Sequence, residues 1–247
     1  MKAMIFAAGI GSRLKPITDN MPKALVPVGG QPMLGRLIHR LAKQGVSSFI
    51  VNVHHFSAQV VEYLNSDEFK EFKISISDES GKLLDTGGGL FRAAGFFSDG
   101  KPFLVYNVDV LSDINVNEML DHHSAEGNLA TLAVSRRNST RLLLLDGQNY
   151  LKGWQDTKTG EVVRVTGAIG KLTPLAFSGI HIIDPAIFAF TRKTKPFPIV
   201  ELYLRLAENY RIGVYIHEPY NWADMGSPEG LKKAEELLPI IDTSITL

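Results

Sequence analysis

The sequence contains no cysteine. Disulfides, a thiolate nucleophile and Cys-ligated metal sites are therefore excluded, and a cytoplasmic location is expected. An excess of charge of either sign is also missing: 26 Lys and Arg balance 26 Asp and Glu in 247 residues. With no global basic field, neither nucleic acid nor a membrane surface is an expected partner, and any anion site must come from a local cluster. Long apolar runs are lacking as well. The stretch Ala3 to Ala8 stops at Gly9, short of the roughly 7–15 residues of a secretory core and the roughly 20 of a membrane span. It reads as a buried parallel strand. No Ser-His-Asp or Cys-His arrangement suggests covalent catalysis, and no G-x-x-x-x-G-K-[ST] run is present, which removes the P-loop reading.

What is present suits a folded α/β chain with a full core, since 45% of the residues are hydrophobic. Strand-like runs alternate with helical patterns through the first half. Strands are expected at 3–7, 46–53, 72–76, 103–106 and 129–134, with helices at 57–64, from about 88, and at 115–123. Met33, Leu34, Leu37, Ile38, Leu41 and Ala42 recur at helical spacing, with Pro32 suited to the first turn and Gly45 to the stop. Such alternation implies right-handed crossovers and a parallel sheet covered on both faces. The rhythm breaks between about 140 and 174, where Gly147, Gly153, Gly160, Gly167 and Gly170 suggest hairpins. That stretch is expected to be a lid-like insertion over one edge of the main sheet. Strands at 175–183 and 212–217 and helices at 185–190, 199–208 and 228–238 then complete a single domain, 1–247. The fold class expected is α/β: a three-layer, doubly wound, mostly parallel sheet.

The first strand runs into Ala8-Gly9-Ile10-Gly11-Ser12-Arg13-Leu14-Lys15-Pro16, followed by Thr18, Pro22-Lys23 and Pro27. Glycines at the carboxyl end of a parallel strand let backbone N–H groups approach phosphate oxygens closely. Arg13 supplies a forked cation and Lys23 a point charge, a pairing suited to a polyphosphate. A dinucleotide fold would share Gly9-Ile10-Gly11. There, however, a third glycine should stand where Leu14 does, and the second strand should end in an acid rather than Asn52-Val53-His54-His55. The dehydrogenase reading is set aside on those two grounds.

The run from Ala7 to Thr18, with Met21-Pro22-Lys23-Ala24-Leu25-Val26-Pro27-Val28, resembles the signature of sugar-1-phosphate nucleotidyltransferases. The likeness continues through Gln31-Pro32-Met33-Leu34, Asp85-Thr86-Gly87-Gly88-Gly89, Asn107-Val108-Asp109, Phe177-Ser178-Gly179-Ile180 and Trp222-Ala223-Asp224-Met225-Gly226. It covers nearly the whole chain and is weakest at about 136–174. Within that family the chain is most similar to N-acetylmuramate-1-phosphate uridylyltransferases, then to mannose-1-phosphate guanylyltransferases. The resemblance implies a nucleotide-diphospho-sugar transferase fold with the 136–174 insertion on the sugar side. It also implies a Mg²⁺-dependent reaction joining a nucleoside triphosphate to a sugar 1-phosphate, in a monomer or homodimer.

The resemblance further makes Asp109 and Asp224 the metal ligands and adds Arg13 and Lys23 as catalytic cations. It sets Ala7, Ala8, Gly9, Gly11, Ser12, Glu79, Thr86, Gly87 and Gly88 against the nucleotide. Asn107, Ser178, Gly179 and Lys152 fall to the sugar. An acid ending a buried strand can reach a cleft over the sheet, and Mg²⁺ takes one or two carboxylates plus phosphate oxygens. Val108 departs from the family, which usually has glycine before the first aspartate, so the local backbone is in question there; Asp113 is the reserve ligand. Glu79 as an acceptor suits guanine better than uracil, which leaves the base open. The family's Glu-Lys sugar run is missing; Lys171 is another candidate, and Arg136, Arg137, Arg141 and Lys152 are available to a carboxylate on the sugar. The adjacent pairs His54–His55 and His122–His123 are not expected to hold a metal. Three other readings remain: a transferase for another acceptor such as phosphocholine or a molybdenum cofactor, a guanylyltransferase for mannose 1-phosphate, and a non-catalytic nucleotide-sensing subunit.

Overall fold

The computed structural model describes residues 1–168, 170–190, 195–218 and 221–243. β1 (Lys2–Phe6) is apolar and buried from Ala3 onward because both of its faces are covered. Three 3₁₀ turns (Ser12–Leu14, Ile17–Asp19 and Lys23–Leu25) then lead to a small ribbon of β2 (Pro27–Val28) and β3 (Gln31–Pro32). In α1 (Met33–Lys43) the helical-period residues Met33, Leu34, Leu37, Ile38 and Leu41 are buried. The chain continues through β4 (Ser48–Val53), α2 (Ser57–Leu64), β5 (Lys73–Asp78), α3 (Asp85–Arg92), β6 (Phe103–Asn107), β7 (Val110–Ser112), α4 (Val116–Glu126) and β8 (Ala130–Ser135). Next come β9 (Arg141–Leu145), β10 (Leu151–Asp156), β11 (Val162–Arg164) and β12 (Thr173–Ile183). Last are α5 (Ile199–Leu206), β13 (Ile212–Ile216), β14 (Trp222–Asp224) and α6 (Pro228–Thr243).

Among the described residues, ten strands form one sheet, ordered β11-β10-β9-β12-β6-β1-β4-β5, with β8 pairing β12 and β13. β5, β4, β1 and β6 are mutually parallel, as the βα alternation implies. β12 turns the direction, pairing antiparallel to β6, β8 and β9. The 140–174 stretch forms the hairpin strands expected of it, and these prolong the main sheet through β9 and β12. Side chains alternate across the sheet: Ala3 and Ile5 join one apolar cluster, Met4 and Phe6 the other. Two cores on opposite faces make the three layers. The segment expected as a helix at 185–190 is a 3₁₀ turn. The short pair β7–β14 had no periodicity long enough to read. Among the described residues, no helix is long and apolar enough to cross a membrane.

Three histidines are buried in these layers. Burial lowers His123 to about 4, His181 to about 3 and His217 to about 4. The neutral rings are used: His123 Nδ1 lies 2.9 Å from Thr131 Oγ1, and His181 Nδ1 lies 2.8 Å from the Tyr203 hydroxyl. In the unfolded chain each ring would take a proton near pH 6.5. The unfolded state therefore binds more protons below that pH, and stability falls as pH drops from about 6.5 toward 4. Thermal melts are expected to shift down steadily between pH 7 and pH 5, above the range where carboxylates titrate. A melting temperature that stays flat over that interval would contradict the assignment.

Candidate active site

β1, β4 and β6 end level with one another: Phe6 stands opposite Asn52 on one side and Asn107 on the other. Their carboxyl ends open into a cleft of about 510 Å³ lined by Phe6, Ala8, Gly9, Lys23, Asn52, Glu79, Leu83, Asp85, Thr86, Asn107, Val108, Asp109 and Pro196. Ligands in parallel α/β sheets bind at this edge. The loop after β1 is tight. Gly11 has φ +73°, and a Cβ there would stand 2.9 Å from Thr18 Cγ2 and 3.0 Å from Lys23 Cβ. Thr18 Oγ1 donates to the Gly11 carbonyl at 2.8 Å. The loop thus packs on the stem of Lys23 and sends its ammonium to Asp109, with which it forms an ion pair.

Asp224 reaches the same place by a different route. β14 pairs antiparallel with β7, setting Asp224 opposite Val110, and the Met225 N–H donates to the Asp109 carbonyl at 2.7 Å. Arg13 Nη2 lies 3.6 Å from Asp224 Oδ2. A Cβ added to Gly226 would stand 2.6 Å from Arg13 Nη2, 2.8 Å from Asp224 Oδ1 and 3.0 Å from Lys23 Nζ. Four residues from three separate chain segments therefore converge: two cations from one loop and two carboxylates. Gly9 and Ala8 line the cleft, Ala7 is buried behind them, and Ser12 is exposed on the loop. Val108 needs no glycine-like backbone, since its φ is not positive, and its N–H donates to the Phe6 carbonyl at 3.1 Å.

The donor set suits a small hard cation. The segments that carry Asp109 and Asp224 are joined by the Met225 N–H to Asp109 carbonyl bond, and no histidine is among the residues that line the cleft; among the described residues, no group of three or more His, Asp or Glu gathers that could hold a metal. Asp109 and Asp224 could thus supply two ligands, leaving the rest to phosphate oxygens and water, the usual arrangement for Mg²⁺.

The nucleotidyl transferase family profile matches residues 2–142. The chain belongs to this family. It is 32% identical over 243 residues to an N-acetylmuramate alpha-1-phosphate uridylyltransferase of Caulobacter vibrioides, covering 96% of each protein. A probable mannose-1-phosphate guanylyltransferase of Oryza sativa subsp. japonica is 29% identical over 238 residues, covering 92% of this chain and 62% of that protein. The fold matches that of a putative glucose-1-phosphate thymidylyltransferase from Bacillus anthracis with a TM-score of 0.78, at 18% identity, covering 96% of this chain and 94% of the other.

In this nucleotidyltransferase, several site residues hold positions that sequence alone did not reveal. Glu79 lies in the cleft wall but is only 2% exposed. Its Oε1 accepts from Asn52 Nδ2 at 2.8 Å and its Oε2 from the Leu84 N–H at 3.1 Å. Asn52, not singled out in the sequence, lines the cleft and accepts the Ala7 N–H at 2.7 Å. At the entry to α3 two N–H groups are taken by the protein itself: Thr86 N–H donates to Asp85 Oδ1 at 2.6 Å and Gly87 N–H to the Phe197 carbonyl at 2.9 Å. Thr86 lines the cleft, whereas Gly87 and Gly88 are buried. A Cβ on Gly87 would meet the Phe197 ring at 2.2 Å, and one on Gly88 would meet Leu84 Cβ at 2.9 Å. These glycines admit close packing of α3.

On the expected sugar side, Asn107 lines the cleft and Gly179, at φ +77°, abuts it; a Cβ there would lie 2.8 Å from Asn107 Nδ2. Ser178 is fully buried: its Oγ lies 2.8 Å from His217 Nε2 and its carbonyl accepts from Trp222 Nε1 at 3.0 Å. Lys152, on β10, is not among the cleft-lining residues, and Lys171 is exposed. The basic residues beside the insertion are engaged. Arg136 pairs with Glu218 at 2.6 Å and Arg141 with Asp156 at 3.6 Å. Arg137 lies 3.8 Å over the Trp222 ring and donates to the Phe177 carbonyl at 2.6 Å. Asp113 is held by Asn221, whose side-chain amide donates to it at 2.6 Å and whose backbone N–H donates at 3.1 Å. His54 Nδ1 contacts the Glu79 carbonyl at 2.8 Å, His55 packs on Phe56, and His122 Nε2 lies 3.1 Å from the Val214 carbonyl.

Proposed function

We propose that this chain transfers the uridylyl group of UTP to N-acetylmuramate 1-phosphate, releasing pyrophosphate, with Mg²⁺ as cofactor. The observation that carries the reading is the convergence of Arg13, Lys23, Asp109 and Asp224 at the mouth of the cleft. An anionic oxygen of the sugar phosphate attacks the α-phosphorus in line. One P–O bond forms, the bond to the bridging oxygen breaks, and its electron pair leaves with pyrophosphate. The attacking oxygen is already ionised, so no general base is required; positioning and charge neutralisation carry the reaction. Arg13, 62% exposed on its loop, is free to swing onto the departing pyrophosphate. Lys23, held against Asp109, faces the phosphates nearer the reacting centre. When bound between Asp109 and Asp224, Mg²⁺ would neutralise phosphate oxygens as charge shifts to the leaving group.

Two observations favour UTP over GTP. The Caulobacter relative, which matches along 96% of the chain, is a uridylyltransferase. In addition, Glu79 is only 2% exposed and both of its oxygens are turned onto protein donors, so this acceptor is not presented to guanine's N–H edge. The test is a matrix of four triphosphates against several sugar 1-phosphates, read as pyrophosphate release. UTP with N-acetylmuramate 1-phosphate is expected to exceed GTP with mannose 1-phosphate in kcat/KM by at least about 100-fold. The reverse order would replace this reading with guanylyl transfer to mannose 1-phosphate. Chelation by EDTA should abolish release and added Mg²⁺ restore it; turnover that survives chelation would remove the metal from the mechanism.

A further inference from the structure

Three chain segments that line the cleft are tied together in its wall by two side chains. Asn52 Oδ1 accepts the N–H of Ala7, the residue that leads from β1 into the loop. Asn52 Nδ2 donates to Glu79 Oε1 at 2.8 Å, and Glu79 Oε2 accepts the N–H of Leu84, one residue before α3 begins. Both side chains are almost wholly buried, at 3% and 2% exposure. The backbone of α3 presses on the pair: a Cβ on Gly89 would stand 2.6 Å from Glu79 Oε1 and 3.0 Å from Asn52 Nδ2. Glu79 is anchored in turn, since its N–H donates to the Val53 carbonyl at 2.8 Å.

We propose that Asn52 and Glu79 are positioning residues for the nucleotide, acting through the backbone they hold rather than by touching the base with their own polar atoms. The Ala7 amide sets the direction in which Ala8 and Gly9 leave the sheet, and the Leu84 amide sets the approach of Asp85 and Thr86. Ala8, Gly9, Asp85 and Thr86 line the same cleft. A network of buried hydrogen bonds with every member satisfied specifies one geometry, and a broken member leaves an unpaired polar group. The proposal rests on the nucleotidyl-transfer reading for the identity of the ligand, but its chemistry is a property of the pair itself.

The pair's polarity can be inverted. In Asn52→Asp alone, a carboxylate faces Glu79 with no proton between them. In Glu79→Gln alone, the side-chain amide cannot accept from both Asn52 and Leu84. In the double variant Asn52→Asp/Glu79→Gln, residue 52 accepts from Ala7 and from the new amide, whose oxygen accepts from Leu84. All three hydrogen bonds return with the middle one reversed. Each single variant is expected to raise the Kd and KM for UTP by on the order of 10-fold while kcat stays within about 3-fold. The double variant should recover wild-type values to within about 3-fold. A direct base-reading carboxylate makes the opposite demand, because the double variant would still lack the charge at position 79. Singles that bind UTP normally, or a double variant that binds as poorly as the singles or fails to fold, would overturn the proposal. Calorimetric UTP binding keeps the two readings apart. Wild-type protein that binds UTP but releases no pyrophosphate with any sugar phosphate refutes transfer and leaves the binding series as the test of the pair.

Discussion

Asp109→Asn and Asp224→Asn are each expected to lower pyrophosphate release by at least about 100-fold with the fold retained. Asparagine keeps the shape and one oxygen but removes the anion on which a hard cation depends. The two variants should differ in stability, which separates catalysis from folding. Asp109 pairs with Lys23, and these side chains are only 17% and 13% exposed. Its loss leaves a largely buried ammonium without its ion-pair partner, at a cost on the order of 1–3 kcal/mol. Asp224 meets Arg13 across 3.6 Å, with Arg13 62% exposed, so the arginine returns to water at little cost. Melting curves should therefore drop for Asp109→Asn and barely move for Asp224→Asn, while both are nearly inactive. Near-normal turnover in either variant at ordinary Mg²⁺ concentrations would remove that carboxylate from the site.

The layered α/β fold was legible because its signals are local. β1, β4 and β6 are buried on both faces and read as continuous apolar runs, and α1 carries its core residues at helical spacing. The loop from Gly9 to Lys23 was legible for a related reason: its glycines, Arg13 and Lys23 lie within one short stretch of chain. What escaped were relations between segments. Nothing local in Asn52 announces that its amide bridges Ala7 and Glu79, 45 residues back and 27 residues on. Setting Gly87 and Gly88 against the nucleotide used a true feature, a glycine-rich helix start, but nothing local there announces that Phe197, 110 residues on, packs against Gly87. Arg136, Arg137 and Arg141 looked available for the same reason, since Glu218, Trp222 and Asp156 are distant in sequence and reach them only in the folded chain. The pairing of β7 with β14, which brings Asp224 beside Asp109, spans three residues on each strand. Elements that short carry no period.

Gly226→Ala is expected to cost turnover on the order of 100-fold while leaving stability almost unchanged. Gly226 is buried and its φ is not positive, so alanine meets no backbone penalty there. Its methyl group would instead arrive 2.6 Å from Arg13 Nη2, 2.8 Å from Asp224 Oδ1 and 3.0 Å from Lys23 Nζ. Each of those atoms is the tip of a side chain, and Arg13 in particular can retreat into solvent. The clash is therefore relieved by moving the groups on which transfer depends, and displacements of about 1 Å suffice for such a loss. Gly230→Ala provides the contrast. A Cβ there would stand 1.7 Å from the Asp224 backbone carbonyl, which no rotamer change can relieve. α6 or β14 must shift, so this variant should lose stability, by about 1–3 kcal/mol for an overpacked site, along with activity. Thermal melts and steady-state kinetics on the two variants decide the matter. If Gly226→Ala turned over like the wild type, Arg13, Lys23 and Asp224 would not need to meet at this point, and the convergence that carries the proposed function would lose its meaning.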